Sequence, residues 1–148
     1  MTKTFTTRSE SETAAVGREL APTLSEGAVV LLCGGLGAGK TAFVRGLAEG
    51  LGLDPGDVSS PTFTLLQEYR GGRVPLLHAD LYRLDDPREV DDLGLEELGG
   101  GAVLAIEWAD KLPRPPVDAI VVRIEHAAET ERVVTVEPWS SKGLGLRP

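Results

Sequence analysis

The chain has 148 residues, 41% apolar and 26% charged, a length and balance that can bury a hydrophobic core without disulfide or metal staples. Its formal net charge of −8 argues against gripping nucleic acid by itself, which usually needs a basic face. A single cysteine, Cys33, excludes an internal disulfide, and no apolar run approaches the roughly 18 residues of a membrane span.

The stretch MTKTFTTRSESE is too polar for a secretory signal, so a cytoplasmic protein is expected. One domain over 1–148 accounts for a chain with no repeat and no long linker. KTFTTR (3–8) is read as a short edge strand. Ser9 and Glu12 have the spacing of a capping box, and Ala15, Val16, Leu20 and Leu24 follow at near-helical intervals. Pro22 predicts an end or a kink of that helix. AVVLLC (28–33) is a continuous apolar run, the pattern of a strand covered on both faces, and Cys33 at its end reads as a buried, inert thiol.

TAFVRGLAEGLG (41–52) predicts a helix stopped at Gly52, and DPGDVSSP (54–61) predicts a loop. TFTLLQEY and RVPLLHAD flank Gly71-Gly72 as the arms of a hairpin. DDPREVDDLGLEELGGG reads as short helices, with Asp86 as cap, Pro87 in the first turn, Glu89 reaching back and Gly94 as the end. AVLAIEW (102–108) is a second wholly apolar run, closed by a carboxylate. AIVVRIEH (119–126) and ERVVTVEPW (131–139) alternate apolar and polar residues and predict an antiparallel pair around AAET. The tail 139–148 is expected to be loose. Two buried strands among hairpin-like ones predict a three-layer α/β domain with a mixed central sheet.

Between the first buried strand and its helix, Gly34-Gly35-Leu36-Gly37-Ala38-Gly39-Lys40-Thr41 fits the pattern GxxxxGK[ST] without a mismatch. Glycines let successive N–H groups curl inward and leave no Cβ in the way of a phosphate. The helix adds its free N–H groups and dipole. The expected nucleotide cradle is Gly35, Leu36, Gly37, Ala38, Gly39, Lys40, Thr41 and Ala42. Lys40 is expected to reach the β- and γ-phosphates and the Thr41 hydroxyl to ligate Mg²⁺. The chain has only four lysines (Lys3, Lys40, Lys111, Lys142), and one stands where the motif needs it.

Hydrolysis needs an acid near the metal and a group that places a water. Glu107 ends a buried strand, where an unpaired carboxylate is costly, and is the first candidate for that acid; a solvated strand end is the bland alternative. Asp80 ends LLHAD, and at strand spacing it shares a face with His78, so both can point into one cleft. A capping Asp and a packed, hydrogen-bonded His remain the alternatives. In SSPTF, Pro61 stiffens the loop and Thr62 presents a hydroxyl suited to sensing a γ-phosphate, or simply marks a loop-to-strand junction. Trp108 reads equally as a stacking surface for a base or partner and as core packing.

A guanine reader of the Asn-Lys-x-Asp type is excluded by a chain without asparagine, so ATP with Mg²⁺ is the expected ligand pair. Two other readings share the loop. A small-molecule kinase would add an arginine-rich lid, for which only Arg83 and Arg88 are available. A nucleotide-gated adaptor would bind ATP without needing its hydrolysis.

GGLGAGKTAFVRGLAEGLG, SSPTFTLLQEY, HADLYRL and LAIEWADKL, in this order and spacing over roughly residues 5 to 140, closely resemble the TsaE (YjeE) family. These are bacterial ATPases needed for the N6-threonylcarbamoyl modification of adenosine-37 (t6A) in tRNAs. The resemblance implies weak intrinsic ATP hydrolysis and docking onto a TsaB–TsaD pair, with tRNA met only through that complex. It implies phosphate and Mg²⁺ contacts for Lys40 and Thr41, a metal and water role for Glu107, and a nucleotide-site role for Asp80. Thr62 would belong to a switch-like loop, Trp108 to a Glu-Trp pair, and Glu10 to the adenine side. Family members commonly carry Asp where this chain has Gly35, so nucleotide binding through the backbone is implied to survive while the contribution of that side chain is missing.

Overall fold

The computed structural model describes residues 2–34, 39–58, 66–81, 84–92, 94–95, 99–109, 112 and 118–138. The described strands form one seven-stranded sheet. Strand β1 (Lys3–Thr7) leads into helix α1 (Glu10–Leu20), and β2 (Val29–Cys33) precedes helix α2 (Lys40–Gly50). Strands β3 (Leu66–Tyr69) and β4 (Leu76–Asp80), helix α3 (Pro87–Asp92), and strands β5 (Val103–Glu107), β6 (Ile120–His126) and β7 (Arg132–Pro138) follow.

The spatial order is β1-β7-β6-β2-β5-β4-β3. Strand β2 runs parallel to both β5 and β6, and β5 runs parallel to β4. The two hairpins, β3–β4 and β6–β7, and the edge strand β1 add antiparallel pairs on either side. A mixed sheet with a parallel centre explains the two wholly apolar runs, since β2 and β5 are covered on both faces. Val30 and Leu32 pack with Val16, Phe43 and Leu47 under α1 and α2. Leu31, one residue out of phase, packs with Leu77, Val90 and Ile106 beneath α3 and the adjoining segments on the opposite face. Cys33, expected to be buried, is half-buried and packs against this second cluster.

Local chemistry sets the boundaries. Ser9 Oγ accepts a 3.0 Å hydrogen bond from the Glu12 amide and caps α1. The reciprocal bond of the capping box is displaced by one residue, since Glu12 Oε1 accepts from the Arg8 amide at 2.7 Å. Pro22 lies in a 3₁₀ turn that follows α1 directly. Gly52, at φ 87°, lies just past α2. Strand β4 starts only after Pro75, which has no N–H for the ladder, although its carbonyl accepts from Val103 N at 2.9 Å. Asp86 caps α3 through the Arg88 amide, and Glu89 Oε1 accepts from the Asp86 amide. The expected loose tail 139–148 lies outside the described residues.

Helices α1 and α2 touch through their backbones. A Cβ at Gly17 would meet the Phe43 carbonyl oxygen, and one at Gly46 would overlap the Ala14 carbonyl. This close approach brings the N-terminal ends of both helices to the same end of the sheet as the C-terminal ends of β2, β4 and β5.

Candidate functional site

The site is assembled where three parallel strands end. Strand β2 stops at Cys33, and Gly34 follows. Gly35, Leu36, Gly37 and Ala38, expected in the phosphate cradle, lie outside the described residues, as do Pro61 and Thr62 of the expected sensing loop. The chain is described again at Gly39, which has φ 109° and ψ 18° and immediately precedes α2. This left-handed conformation strains any residue with a Cβ, which gives the last glycine of the motif its physical reason. Gly39 offers no side chain to cap α2, so acceptors for the helix's first amides must come from elsewhere.

Lys40 is the first residue of α2 and is 5% exposed. Its Nζ donates a 2.6 Å hydrogen bond to the Gly34 carbonyl, just past the end of β2. The same ammonium lies 3.9 Å from the centroid of the Trp108 ring, a cation–π contact. Trp108 follows β5 directly and has φ 59°, an uncommon conformation for a bulky residue. Trp108 is half-buried and packs against the cluster that holds Leu31 and Ile106, with its ring also over the Lys40 ammonium. Thr41 is half-buried and Ala42 is buried in the first turn of α2.

Glu107 is the last residue of β5. In the ladder it lies opposite Leu32 on β2 and opposite Asp80 on β4. Both carboxylates are buried, Asp80 at 2% and Glu107 at 3% exposure, so the bland alternative of a solvated strand end does not hold for Glu107. His78 lies opposite Ala105 and shares the sheet face of Asp80 and Glu107. Its Nε2 stands 2.6 Å from Glu107 Oε2. Its Nδ1 is buried with no hydrogen-bond partner among the described residues. The expectation that His78 and Asp80 share a face is met, and His78 turns towards the glutamate of the neighbouring strand.

A second cleft opens beside Gly39. It is lined by Arg8 and the cap residue Ser9, by Glu10 and Thr13 of α1, and by Glu129 and Thr130 of the β6–β7 turn with Arg132 at the start of β7. Glu10, the expected adenine-side residue, thus lies along one wall of a cleft that reaches the end of the glycine loop. The Thr7 and Thr13 hydroxyls, both buried, are 2.7 Å apart beneath it. Arg8 Nε pairs with Glu131 at 3.3 Å and ties the two walls together. The β6–β7 side of this cleft was not legible in the sequence: the strand alternation predicts that turn but not the helix it faces.

No group of three or more His, Cys, Asp and Glu side chains suited to hold a metal occurs among the described residues. No helix among the described residues is long and apolar enough to cross a membrane.

Comparison with known proteins points in one direction. The family model described as threonylcarbamoyl adenosine biosynthesis protein TsaE matches residues 7–134. A tRNA threonylcarbamoyladenosine biosynthesis protein TsaE from Nostoc sp. is 43% identical over 145 residues, covering 95% of this chain and 88% of that protein. One from Bacillus subtilis is 43% identical over 126 residues, 84% and 78% of the two chains. Among solved structures, the crystal structure of Bacillus subtilis YdiB superposes with a TM-score of 0.74 at 32% identity, covering 99% of this chain and 91% of that one.

Proposed function

The chain belongs to the TsaE family, whose role is in threonylcarbamoyladenosine biosynthesis, and from that premise we propose that it is a Mg²⁺-dependent P-loop ATPase serving the t6A machinery. It works as an accessory subunit on a TsaB–TsaD complex and meets tRNA only through that complex. The observation that carries the reading is the contact of Lys40 with Trp108, because it brings the motif lysine beside the strand whose last residue is Glu107.

The residues fit a nucleotide and its metal. A left-handed Gly39, helix α2 without a side-chain cap, and Lys40 at the loop mouth make a site that favours a polyanion. When bound, Mg²⁺·ATP supplies the scissile phosphoanhydride and an ion that offsets charge developing on the phosphates. Lys40 would exchange the Gly34 carbonyl for phosphate oxygens. Thr41 and Glu107 would hold the ion, and Glu107 with Asp80 would orient the attacking water. Glu10 and the cleft beside Gly39 receive the adenosine end. The acidic surface suits a subunit whose partner, not itself, binds tRNA.

The test is titration of the purified protein with ATP and Mg²⁺, followed by phosphate release with and without TsaB and TsaD. Binding, slow turnover alone and faster turnover with the pair are expected. Phosphate appearing on an added metabolite would instead identify a kinase. Full t6A formation with Glu107→Gln would reduce the protein to an adaptor whose hydrolysis is incidental.

A further inference from the structure

Glu107 and Asp80 are direct partners across the β4–β5 ladder and are both buried. Two carboxylates so placed need donors to hold them, since neither has bulk water to turn to. One donor is identifiable. His78 is fully buried, and its Nε2 lies 2.6 Å from Glu107 Oε2.

We infer that His78 is a positioning residue for Glu107. Its Nε2–H fixes one carboxylate oxygen and leaves Oε1 for the ion or its water, a role that rests on the ATPase reading above. The sheet register makes the reach possible. His78 faces Ala105, whose single methyl group leaves room for the imidazole to lean along the face towards Glu107, two residues further on. The hydrogen-bond inventory argues the same way. A proton on Nε2 is what the 2.6 Å contact requires, because an Nε2 lone pair would face the carboxylate oxygen, and Nδ1 has no partner among the described residues. A histidine present only to fill space would be better replaced by an apolar side chain of similar volume. Metal ligands are commonly oriented by such outer contacts.

The experiment uses the full chain with His78→Leu, His78→Gln and His78→Asn. Removing the donor in His78→Leu is expected to lower kcat for ATP about 10–100-fold with little change in KM. Mn²⁺ affinity in the ADP complex, read by electron paramagnetic resonance, should fall by a similar factor, while metal-free ADP binding stays at the wild-type level. Glutamine can present an N–H near the position of Nε2 and should restore most of the loss; the shorter asparagine should not. In a Glu107→Gln background, His78→Leu should add little. Wild-type kcat and Mn²⁺ affinity in a folded His78→Leu protein would overturn the inference. If that variant does not fold, equal values for His78→Gln and His78→Asn would do so. A crystal structure of His78→Leu, or of His78→Asn if leucine is not tolerated, separates this inference from the ATPase reading. A displaced Glu107 carboxylate supports positioning even if the wild type fails to bind ATP, and an unmoved one refutes positioning even if ATP is hydrolysed.

Discussion

Lys40 Nζ is held between the Gly34 carbonyl, 2.6 Å away, and the Trp108 ring, whose centroid is 3.9 Å away. The lysine of the glycine loop therefore spends its charge on its own chain, joining the loop after β2 to the segment after β5. A cation–π contact contributes about 0.5–2 kcal/mol and a hydrogen bond from a charged group about 1.5–3 kcal/mol. A phosphate-bearing ligand must exceed that sum to draw Lys40 away.

Nucleotide binding should consequently be visible from Trp108. In a Trp139→Phe background, saturating ADP is expected to change the emission of Trp108 as the ammonium leaves its ring. Lys40→Ala removes charge-assisted phosphate contacts of about 1.5–3 kcal/mol each, offset in part by the Gly34 and Trp108 contacts that Lys40 gives up on binding, so a net loss of affinity of about 10-fold or more is expected. Calorimetry measures that loss directly. Unchanged affinity in Lys40→Ala would remove the phosphate role from this residue.

Glu107 and Asp80 face each other at the strand ends, and both should matter for turnover more than for binding. Glu107→Gln keeps the shape of the side chain and removes its charge, so ATP affinity is expected to remain within a few-fold. Its partner-stimulated hydrolysis should fall about 100-fold or more. Asp80→Ala should behave in the same sense. A single-turnover assay beside equilibrium binding separates the two effects.

The sequence was most legible where local rules act alone. AVVLLC (28–33) and AVLAIEW (102–108) read as buried strands because parallel centre strands need no alternation, and β2 and β5 lie within them. Pro22 and Gly52 mark helix ends through backbone chemistry that needs no neighbours, whereas Pro75, read as part of the hairpin arm RVPLLHAD, precedes the strand, which begins at Leu76. Relationships across strands were not legible. Nothing local says that β4 lies beside β5, and without that order the bond from His78 to Glu107 cannot be foreseen. The same holds for the cleft beside Gly39, whose walls come from Glu10 and Thr130, far apart in the chain. The Lys40–Trp108 contact depends in addition on the positive φ of Trp108, which no propensity predicts for a tryptophan.

Asp86 carries a pH signature. Its carboxyl accepts from the Arg88 amide and pairs with the Arg88 guanidinium at 3.1 Å. The backbone bond first and the side chain second hold it below the ordinary aspartate value. With the folded value depressed, the unfolded chain binds more protons in that range, and the stabilisation is present above the unfolded value. It is lost as pH falls through the folded value. Asp86→Ala should therefore lower Tm slightly near neutral pH, and the gap from wild type should close in acid. A gap that stays constant down to low pH would show that the charge contributes nothing.

The backbone contact between α1 and α2 yields the largest expected stability effect. A Cβ at Gly46 would overlap the Ala14 carbonyl oxygen, and no flexible side chain is available to yield. The helices would have to move apart, at a cost of about 3 kcal/mol or more, or about 6–12 °C in Tm for a chain of this size. At Gly100 an added Cβ meets nothing within 4 Å, so Gly100→Ala should change stability by no more than about 0.5 kcal/mol. Because α1 carries Glu10 and Thr13 while α2 begins beside Gly39, separating the helices also widens the cleft between them. Gly46→Ala is thus expected to weaken nucleotide binding even at temperatures where the protein stays folded. A melting curve and an ADP titration on the same sample check both parts, and a wild-type Tm would contradict the close packing itself.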